Sequence, residues 1–202
     1  MIHKIYPKEA LLDADSQVKH RIALINGFDY KRYRSLVGTE IIEQNDHYSY
    51  RQDLLEIKKI KSLKRSDFIG LVRALEYFNL LNFVHGDLNK KNIIYTEDGF
   101  KIIDYEPSHV QIKNKIKQLM VTMPYVLRSD LERNIATTAT DKIGFFYFVL
   151  RVNNAFSSMN IVKLTKELNH DIVLGFDVNT INSITYLELL DRAYSIIQKQ
   201  QH

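Results

Sequence analysis

The sequence predicts an α+β fold whose C-terminal part is rich in helices, and three observations predict it. Strand-like runs lie mostly in the first 50 residues, one hairpin pattern falls near residues 93–103, and long helical patterns follow it. The chain has 202 residues, enough for one large domain or two small lobes. With only three prolines and seven glycines, regular elements should dominate.

The first 50 residues predict short strands around one helix. Ile2 to Tyr6 is a β-like run, and Glu9 to Asn26 has helical composition ending at Gly27, a residue suited to a helix C-terminus. Residues 33–50 predict two short strands joined by a turn at Asn45-Asp46. We therefore expect a small first lobe over residues 1–50.

Residues 51–202 are expected to form a second, helical lobe. Asp53 to Leu63 suggests a basic helix, and Ser66 is expected to cap the next one. In that next helix the apolar residues recur at helical spacing and predict a buried face: Phe68, Leu71, Val72 and Leu75. Asp98-Gly99 between two apolar runs predicts a hairpin.

Two further helices complete the prediction. Ile143 to Val152 is apolar almost all round, which is typical of a helix in the middle of a core. A last helix follows Ser183, with an expected buried stripe: Leu187, Leu190, Tyr194 and Ile197.

Composition narrows the class of protein. Hydrophobic residues make up 45% and charged residues 26%, as in ordinary globular proteins. The absence of Cys excludes disulfides and thiolate metal sites and fits a reducing compartment. No signal-peptide pattern or membrane-spanning apolar run is visible, so we expect a cytoplasmic protein. The net charge of +4 is mild, and its local lysine runs fit either solvated faces or attraction to an acidic partner.

The stretch HGDLNKKN, from His85 to Asn92, carries the chemistry. Isolated carboxylates are costly to desolvate unless they pair or hold a cation. The predicted hairpin begins at Asn92 and ends near Asp104, so those two side chains should meet, with Asp87 close by. Oxygen-only ligands suit Mg²⁺, which is held by one or two protein groups together with substrate phosphates.

This pattern resembles the catalytic core of the protein-kinase-like superfamily, in which a loop H-x-D-x-x-x-x-N precedes a hairpin and a metal-binding aspartate. The resemblance implies a two-lobe fold and an enzyme that uses ATP and Mg²⁺. Asp87 would orient or deprotonate the attacking hydroxyl, and Asn92 and Asp104 would hold the metal on the nucleotide. His85 would brace the loop.

Further parts of the chain agree with the resemblance. Lys4 looks like the strand lysine that binds the nucleotide phosphates, and its carboxylate partner could be Glu9, Asp13 or Asp15. Thr122 to Tyr125 (TMPY) is similar to the segment before the substrate platform in protein kinases.

Asp141 resembles the aspartate that, in the family, accepts hydrogen bonds from catalytic-loop amides. The alternative for Asp141 is a simple helix N-cap.

The chain departs from the family pattern in three features, so the sequence does not identify the molecule that accepts the phosphate. No glycine-rich phosphate loop precedes Lys4, Gly86 replaces the usual arginine, and Asn89 stands where serine/threonine kinases place a phosphate-contacting lysine.

We expect a protein serine/threonine kinase-like enzyme. The alternatives are a kinase for a small molecule or a lipopolysaccharide or other glycan, as HGD is common there, and a pseudokinase that serves as a binding module. The expected partners are a nucleotide and a protein or glycan acceptor, with peripheral membrane contact as an alternative and without nucleic acid.

Overall fold

The computed structural model of the chain describes residues 1–8, 14–60, 63–105, 110–113, 116–119, 130, 133, 135–155 and 178–200. It is a mixed α+β structure with small sheets, as the sequence predicts. None of the helices in these ranges is long and apolar enough to cross a membrane.

A three-stranded antiparallel sheet and one helix form the first part. Strand β1 (Ile2–Pro7) leads to helix α1 (Ala14–Asn26), and β2 (Thr39–Glu43) and β3 (His47–Gln52) follow. The sheet order is β1-β3-β2, with Lys4 opposite Tyr50. These elements confirm the predicted strands and helix, and β3 extends two residues beyond the expected boundary at residue 50.

Helix α1 is fixed to the sheet at its C-terminal end. Asn26 pairs with the backbone of Ile41, donating to its carbonyl oxygen and accepting from its N–H at 2.9 Å each. Gly27 then donates its backbone N–H to the carbonyl oxygens of Ala23 and Leu24, which ends the helix. The sheet and α1 therefore form one packed unit.

The expected basic helix over Asp53 to Leu63 is wrong for the residues that are described. Residues 53–60 form neither helix nor strand. The backbone N–H of Lys58 donates instead to Tyr95 of the hairpin at 2.9 Å. Helical composition was overridden here because this segment lies along another element rather than forming its own hydrogen bonds.

A 3-10 helix (Arg65–Phe68) leads directly into α2 (Ile69–Leu80). The cap comes from Asp67, whose carboxylate accepts the Lys64 backbone N–H at 2.7 Å, so the expectation of a Ser66 cap is wrong. The four predicted apolar positions are all buried: Phe68, Leu71, Val72 and Leu75.

The predicted hairpin is present as β4 (Ile93–Thr96) and β5 (Gly99–Ile102), paired from Ile93–Ile102 to Thr96–Gly99. A second hairpin comprises β6 (Val110–Lys113) and β7 (Ile116–Leu119). The backbone N–H of Ile102 donates to Ser35 at 2.7 Å, which fixes the first hairpin to the loop before β2.

Three helices complete the described chain: α3 (Thr138–Val152), α4 (Val178–Ser183) and α5 (Tyr186–Gln200). Helix α3 is buried from Ala139 to Leu150, as its apolar sequence predicts. On α5, Leu190 and Ile197 are buried, but Leu187 is 43% exposed and does not belong to the buried stripe. Leu189 and Ala193 occupy that stripe because the helix is rotated relative to the predicted face.

Candidate active site

The loop from His85 to Asn92 is held by its own side chains. Gly86 has a φ of 87°, a left-handed conformation that favours glycine. Asn89 is almost fully buried, donates to the Asp87 carbonyl oxygen at 3.0 Å and accepts the Lys91 backbone N–H at 2.8 Å. Both departures from the kinase pattern thus have a local structural reason: Gly86 permits the turn, and Asn89 braces it.

Asp141 connects this loop to the buried helix α3. Its two carboxylate oxygens accept the backbone N–H groups of His85 at 2.7 Å and Gly86 at 2.8 Å. Burial raises the pKa of Asp141 to about 7, although these two hydrogen bonds act to lower it. The alternative of a helix N-cap is wrong, because the N-cap of α3 is Thr137, whereas the Asp141 carboxylate holds two successive loop amides.

His85 joins the loop to the end of the hairpin. Its Nε2 lies 2.8 Å from the Ile103 carbonyl oxygen, and its Nδ1 lies 3.3 Å from the Asp87 backbone nitrogen. A carbonyl can only accept and a backbone N–H can only donate, so the proton is on Nε2. Burial lowers the pKa of His85 to about 4, which keeps the ring neutral at neutral pH.

Asp87 and Asn92 form a direct pair. The Asn92 side-chain nitrogen donates to both the carbonyl oxygen and the carboxylate of Asp87, at 2.9 Å each. Among the described residues, none donates a hydrogen bond to Asn92 Oδ1. The backbone carbonyl of Asn92 accepts the Ile103 N–H at 2.9 Å, which brings Asn92 beside the residue that precedes Asp104. One amide oxygen thus remains available next to the Asp87 carboxylate, on a residue whose backbone is bonded to the neighbour of Asp104.

Asp104 meets Lys4 although 100 residues separate them. Lys4 Nζ lies 2.6 Å from Asp104 Oδ1, and both side chains are about two-thirds buried, at 33% and 30% exposure. Asp104 has a φ of 62°, a strained conformation for a residue other than glycine and one that is often found at functional sites. Lys4 Nζ also lies 5.5 Å from the centre of the Tyr50 ring.

The carboxylate partner seen for Lys4 is thus Asp104, which was predicted as a metal ligand and not as that partner. Of the three predicted partners, Glu9 and Asp13 lie outside the described residues, as does the side chain of Asp15. Thr122 to Tyr125, the TMPY segment, also lies outside them.

Two residues that position the site were missed by sequence reasoning, and the first is Arg21 on α1. Its guanidinium donates to the carbonyl oxygens of Val84 at 2.6 Å and His85 at 3.4 Å and lies 4.2 Å from the centre of the Phe83 ring. Arg21 and Asp141 therefore hold adjacent carbonyl and amide groups of the same loop. A single arginine in an otherwise ordinary helical pattern gives no local signal of such a role.

The second is Tyr105, directly after Asp104. It is fully buried, donates its hydroxyl to the Ile102 carbonyl oxygen at 2.8 Å and accepts the Val37 N–H at 3.1 Å. Burial raises the pKa of Tyr105 well above its usual value. These two hydrogen bonds fix the residue after Asp104 to the hairpin and to the loop before β2.

The arrangement fits a hard cation bound by a few protein oxygens together with a ligand. Within the described ranges, no group of three or more His, Asp or Glu side chains is placed to hold a metal without such help. The available donors are the two carboxylates and the Asn92 amide oxygen, and the Lys4 ammonium already neutralises one of those carboxylates. Such a set suits Mg²⁺, which usually keeps waters and shares its shell with substrate phosphates.

No protein-family model matches the chain, and no curated protein matches its sequence.

Proposed function

We propose that this protein is a protein-kinase-like phosphotransferase, which uses ATP and Mg²⁺ to phosphorylate an alcohol group. The observation that carries the proposal is the contact between Lys4 and Asp104, which joins a strand at the start of the chain to the end of the β4–β5 hairpin. The backbone hydrogen bond from Ile103 to Asn92 links the Asp87–Asn92 pair to the same end of the hairpin. A purely structural role would not require a lysine, two aspartates and an open amide oxygen in one place.

The proposed roles follow from the chemistry of each side chain. Asn92 and Asp104 would hold the Mg²⁺, which when bound would neutralise charge on the nucleotide phosphates. Lys4 would contact those phosphates, since its ammonium already lies at 2.6 Å from an anionic group. Asp87 would accept the proton of the attacking hydroxyl, and its orientation is set by the Asn92 hydrogen bond at 2.9 Å. His85 and Asp141 would position the loop without touching substrate.

A protein hydroxyl is the first candidate acceptor, and a small-molecule or glycan hydroxyl is the second. The second is favoured by Asn89, which is 1% exposed and has its side chain engaged with the loop backbone. A residue buried in this way cannot take over the phosphate contact that a lysine makes at this position in serine/threonine kinases. If a lysine does so, it must be the exposed Lys90 or Lys91.

Nucleotide binding is the first test. The free energy of unfolding should rise by about 3 kcal/mol with ATP and Mg²⁺ at roughly one hundred times the Kd. Asp104→Asn should lose most of this gain because the metal loses its charged ligand. An unchanged unfolding curve at millimolar nucleotide would argue against the proposal as a whole.

Phosphoryl transfer is the second test. Labelled ATP is incubated with the protein and with a panel of protein and sugar acceptors. Asp87→Asn should keep the nucleotide-dependent stabilisation but lose transfer. Transfer by Asp87→Asn at the wild-type rate would refute the assignment of the base, while nucleotide binding without transfer in the wild type would indicate a pseudokinase.

A further inference from the structure

The segment over residues 53–60 exposes three large aliphatic side chains. Leu54 is 72% exposed, Ile57 is 69% exposed and Ile60 is 39% exposed. Leu55 and Lys58, which alternate with them, are half-buried, and the Lys58 backbone N–H is bonded to the β4–β5 hairpin. The segment is therefore attached to the hairpin through the Lys58 backbone and leaves three aliphatic side chains in contact with solvent. Single exposed apolar residues are ordinary, but three on one short segment indicate an interaction surface.

The same stretch is basic. Residues 53–65 contain five basic and two acidic residues, an excess of three positive charges. Lys59 and Lys64 are exposed, whereas Lys58 pairs with Glu56, and Arg65 pairs with Asp191 at 2.5 Å. A partner for this surface should thus combine an apolar layer with negative charge.

An anionic lipid bilayer meets both requirements. Its acyl layer takes up aliphatic side chains, which fits the exposed Leu54, Ile57 and Ile60. Its headgroup phosphates attract basic side chains, which fits the exposed Lys59 and Lys64.

We propose that residues 53–60, together with Lys64, bind an anionic lipid bilayer. Leu54, Ile57 and Ile60 insert between the headgroups, and the neighbouring lysines contact the lipid phosphates. This inference does not depend on the proposed phosphotransferase activity. Binding of this kind combines buried apolar area with a salt-sensitive electrostatic attraction, and each part can be tested separately.

The test is cosedimentation of the full chain with phosphatidylcholine vesicles, with and without phosphatidylglycerol. Wild-type protein should bind the mixed vesicles, bind neutral vesicles several-fold more weakly, and lose binding as salt is raised. Replacing Leu54, Ile57 and Ile60 together by serine should weaken binding by about tenfold or more. Changing Lys59 and Lys64 to glutamine should weaken binding to the anionic vesicles only.

Leu80→Ser is the matched control, because Leu80 is an equally exposed leucine (79%) at the end of α2. It should bind vesicles like the wild type. The proposal is overturned if the wild type does not bind the anionic vesicles, if the triple serine variant binds as well as the wild type, or if Leu80→Ser loses as much binding.

A nucleotide measurement separates this surface from the proposed active site. Asp104→Asn should bind vesicles like the wild type, and the triple serine variant should keep the nucleotide-dependent stabilisation. If the triple serine variant instead keeps vesicle binding and loses nucleotide stabilisation, the segment belongs to the nucleotide site and the membrane proposal is wrong.

Discussion

Gly144 on α3 offers a sharp test of how closely the buried helix must approach the His85–Asn92 loop. A Cβ atom added at Gly144 would lie well inside van der Waals distance of the Leu88 carbonyl oxygen and 3.0 Å from Leu88 Cβ. Leu88 directly follows Asp87, and Asp141, one helical turn before Gly144, holds the loop by two backbone N–H groups. The loop therefore cannot move away from an alanine without straining those hydrogen bonds.

The expected change in the free energy of unfolding for Gly144→Ala follows from two opposed effects. Alanine is a better helix former than glycine by about 1 kcal/mol. Crowding a packed core costs roughly 1–3 kcal/mol, and straining hydrogen bonds to the Asp141 carboxylate adds to that cost, since each is worth about 1.5–3 kcal/mol. Gly144→Ala should therefore lower the free energy of unfolding by about 2 kcal/mol, with crowding outweighing propensity.

Urea denaturation measures this change, with an unchanged m value as the sign that only stability has shifted. Gly70→Ala on α2 is the matched control, because an added Cβ there would meet only the Ser35 hydroxyl, at 3.0 Å, and a hydroxyl can rotate away. Gly70→Ala should be at least as stable as the wild type and at most about 1 kcal/mol more stable, because helix preference acts there without comparable crowding. If Gly144→Ala is as stable as Gly70→Ala, the close approach of α3 to the loop is not required.

Three further predictions concern the same site. Arg21→Met removes the hydrogen bonds to the carbonyl oxygens of Val84 and His85, so it should lower the free energy of unfolding in urea by about 1–2 kcal/mol. Arg21→Lys should recover part of this loss. An Arg21→Met variant as stable as the wild type would show that the guanidinium does not hold the loop. The folded-state pKa of His85, about 4, lies below its usual value of 6.5, so His85 is protonated first in the unfolded chain. The contribution of His85 to the free energy of unfolding is therefore fully present above pH 6.5 and falls by about 3 kcal/mol as pH drops towards 4. His85→Gln lacks this loss, so its stability deficit relative to wild type should narrow in acid; a constant deficit would refute a neutral His85. Lys4→Met should change the free energy of unfolding by less than about 1 kcal/mol, because the Lys4–Asp104 pair is partly exposed. It should nevertheless reduce the stabilisation by ATP and Mg²⁺ that is measured in thermal unfolding. Lys101, which is paired with Asp98, provides the control, and an equal reduction by Lys101→Met would show that general charge and not position matters.

Much of the fold is predictable because it depends on short-range patterns. The β4–β5 hairpin follows from Asp98-Gly99 between two apolar runs, since only certain residues allow so tight a turn. Helix α3 follows from an apolar run that can be satisfied only inside a core. In both cases the sequence signal and the structural cause lie within a few residues of each other.

The secondary-structure predictions that are wrong concern segments whose contacts with distant parts of the chain outweigh their local conformational preference. Residues 53–60 have a helical composition, but the segment is bonded to Tyr95 in the hairpin, a residue far along the chain. Leu187 has the right spacing for the buried stripe of α5 and is nevertheless 43% exposed, because the rotation of a helix depends on what it packs against. Neither outcome can be read from a local pattern.

The residues of the candidate site also fall into those that the sequence identifies and those that it does not. The sequence predicts that Asn92 and Asp104 approach each other because a hairpin brings its two ends together, whereas the roles of His85 and Asp87 come from the resemblance to the H-x-D-x-x-x-x-N loop. Arg21 is not identifiable from sequence, because nothing near it in sequence indicates the loop that it holds. The contact between Asp141 and the loop amides was anticipated only through a family resemblance, and its two hydrogen bonds are now seen directly.

Residue types and local patterns thus indicate the chemical groups that are present: an oxygen-rich set of side chains around HGDLNKKN, a hairpin that joins Asn92 to Asp104, and a buried helix that begins with an acid. Which of these groups meet depends on the folding of the whole chain. It paired Lys4 with Asp104 across 100 residues and brought Arg21 to the loop carbonyls. The physical reason is that residue type and spacing act through local backbone geometry, whereas contacts between distant residues depend on how the whole core packs.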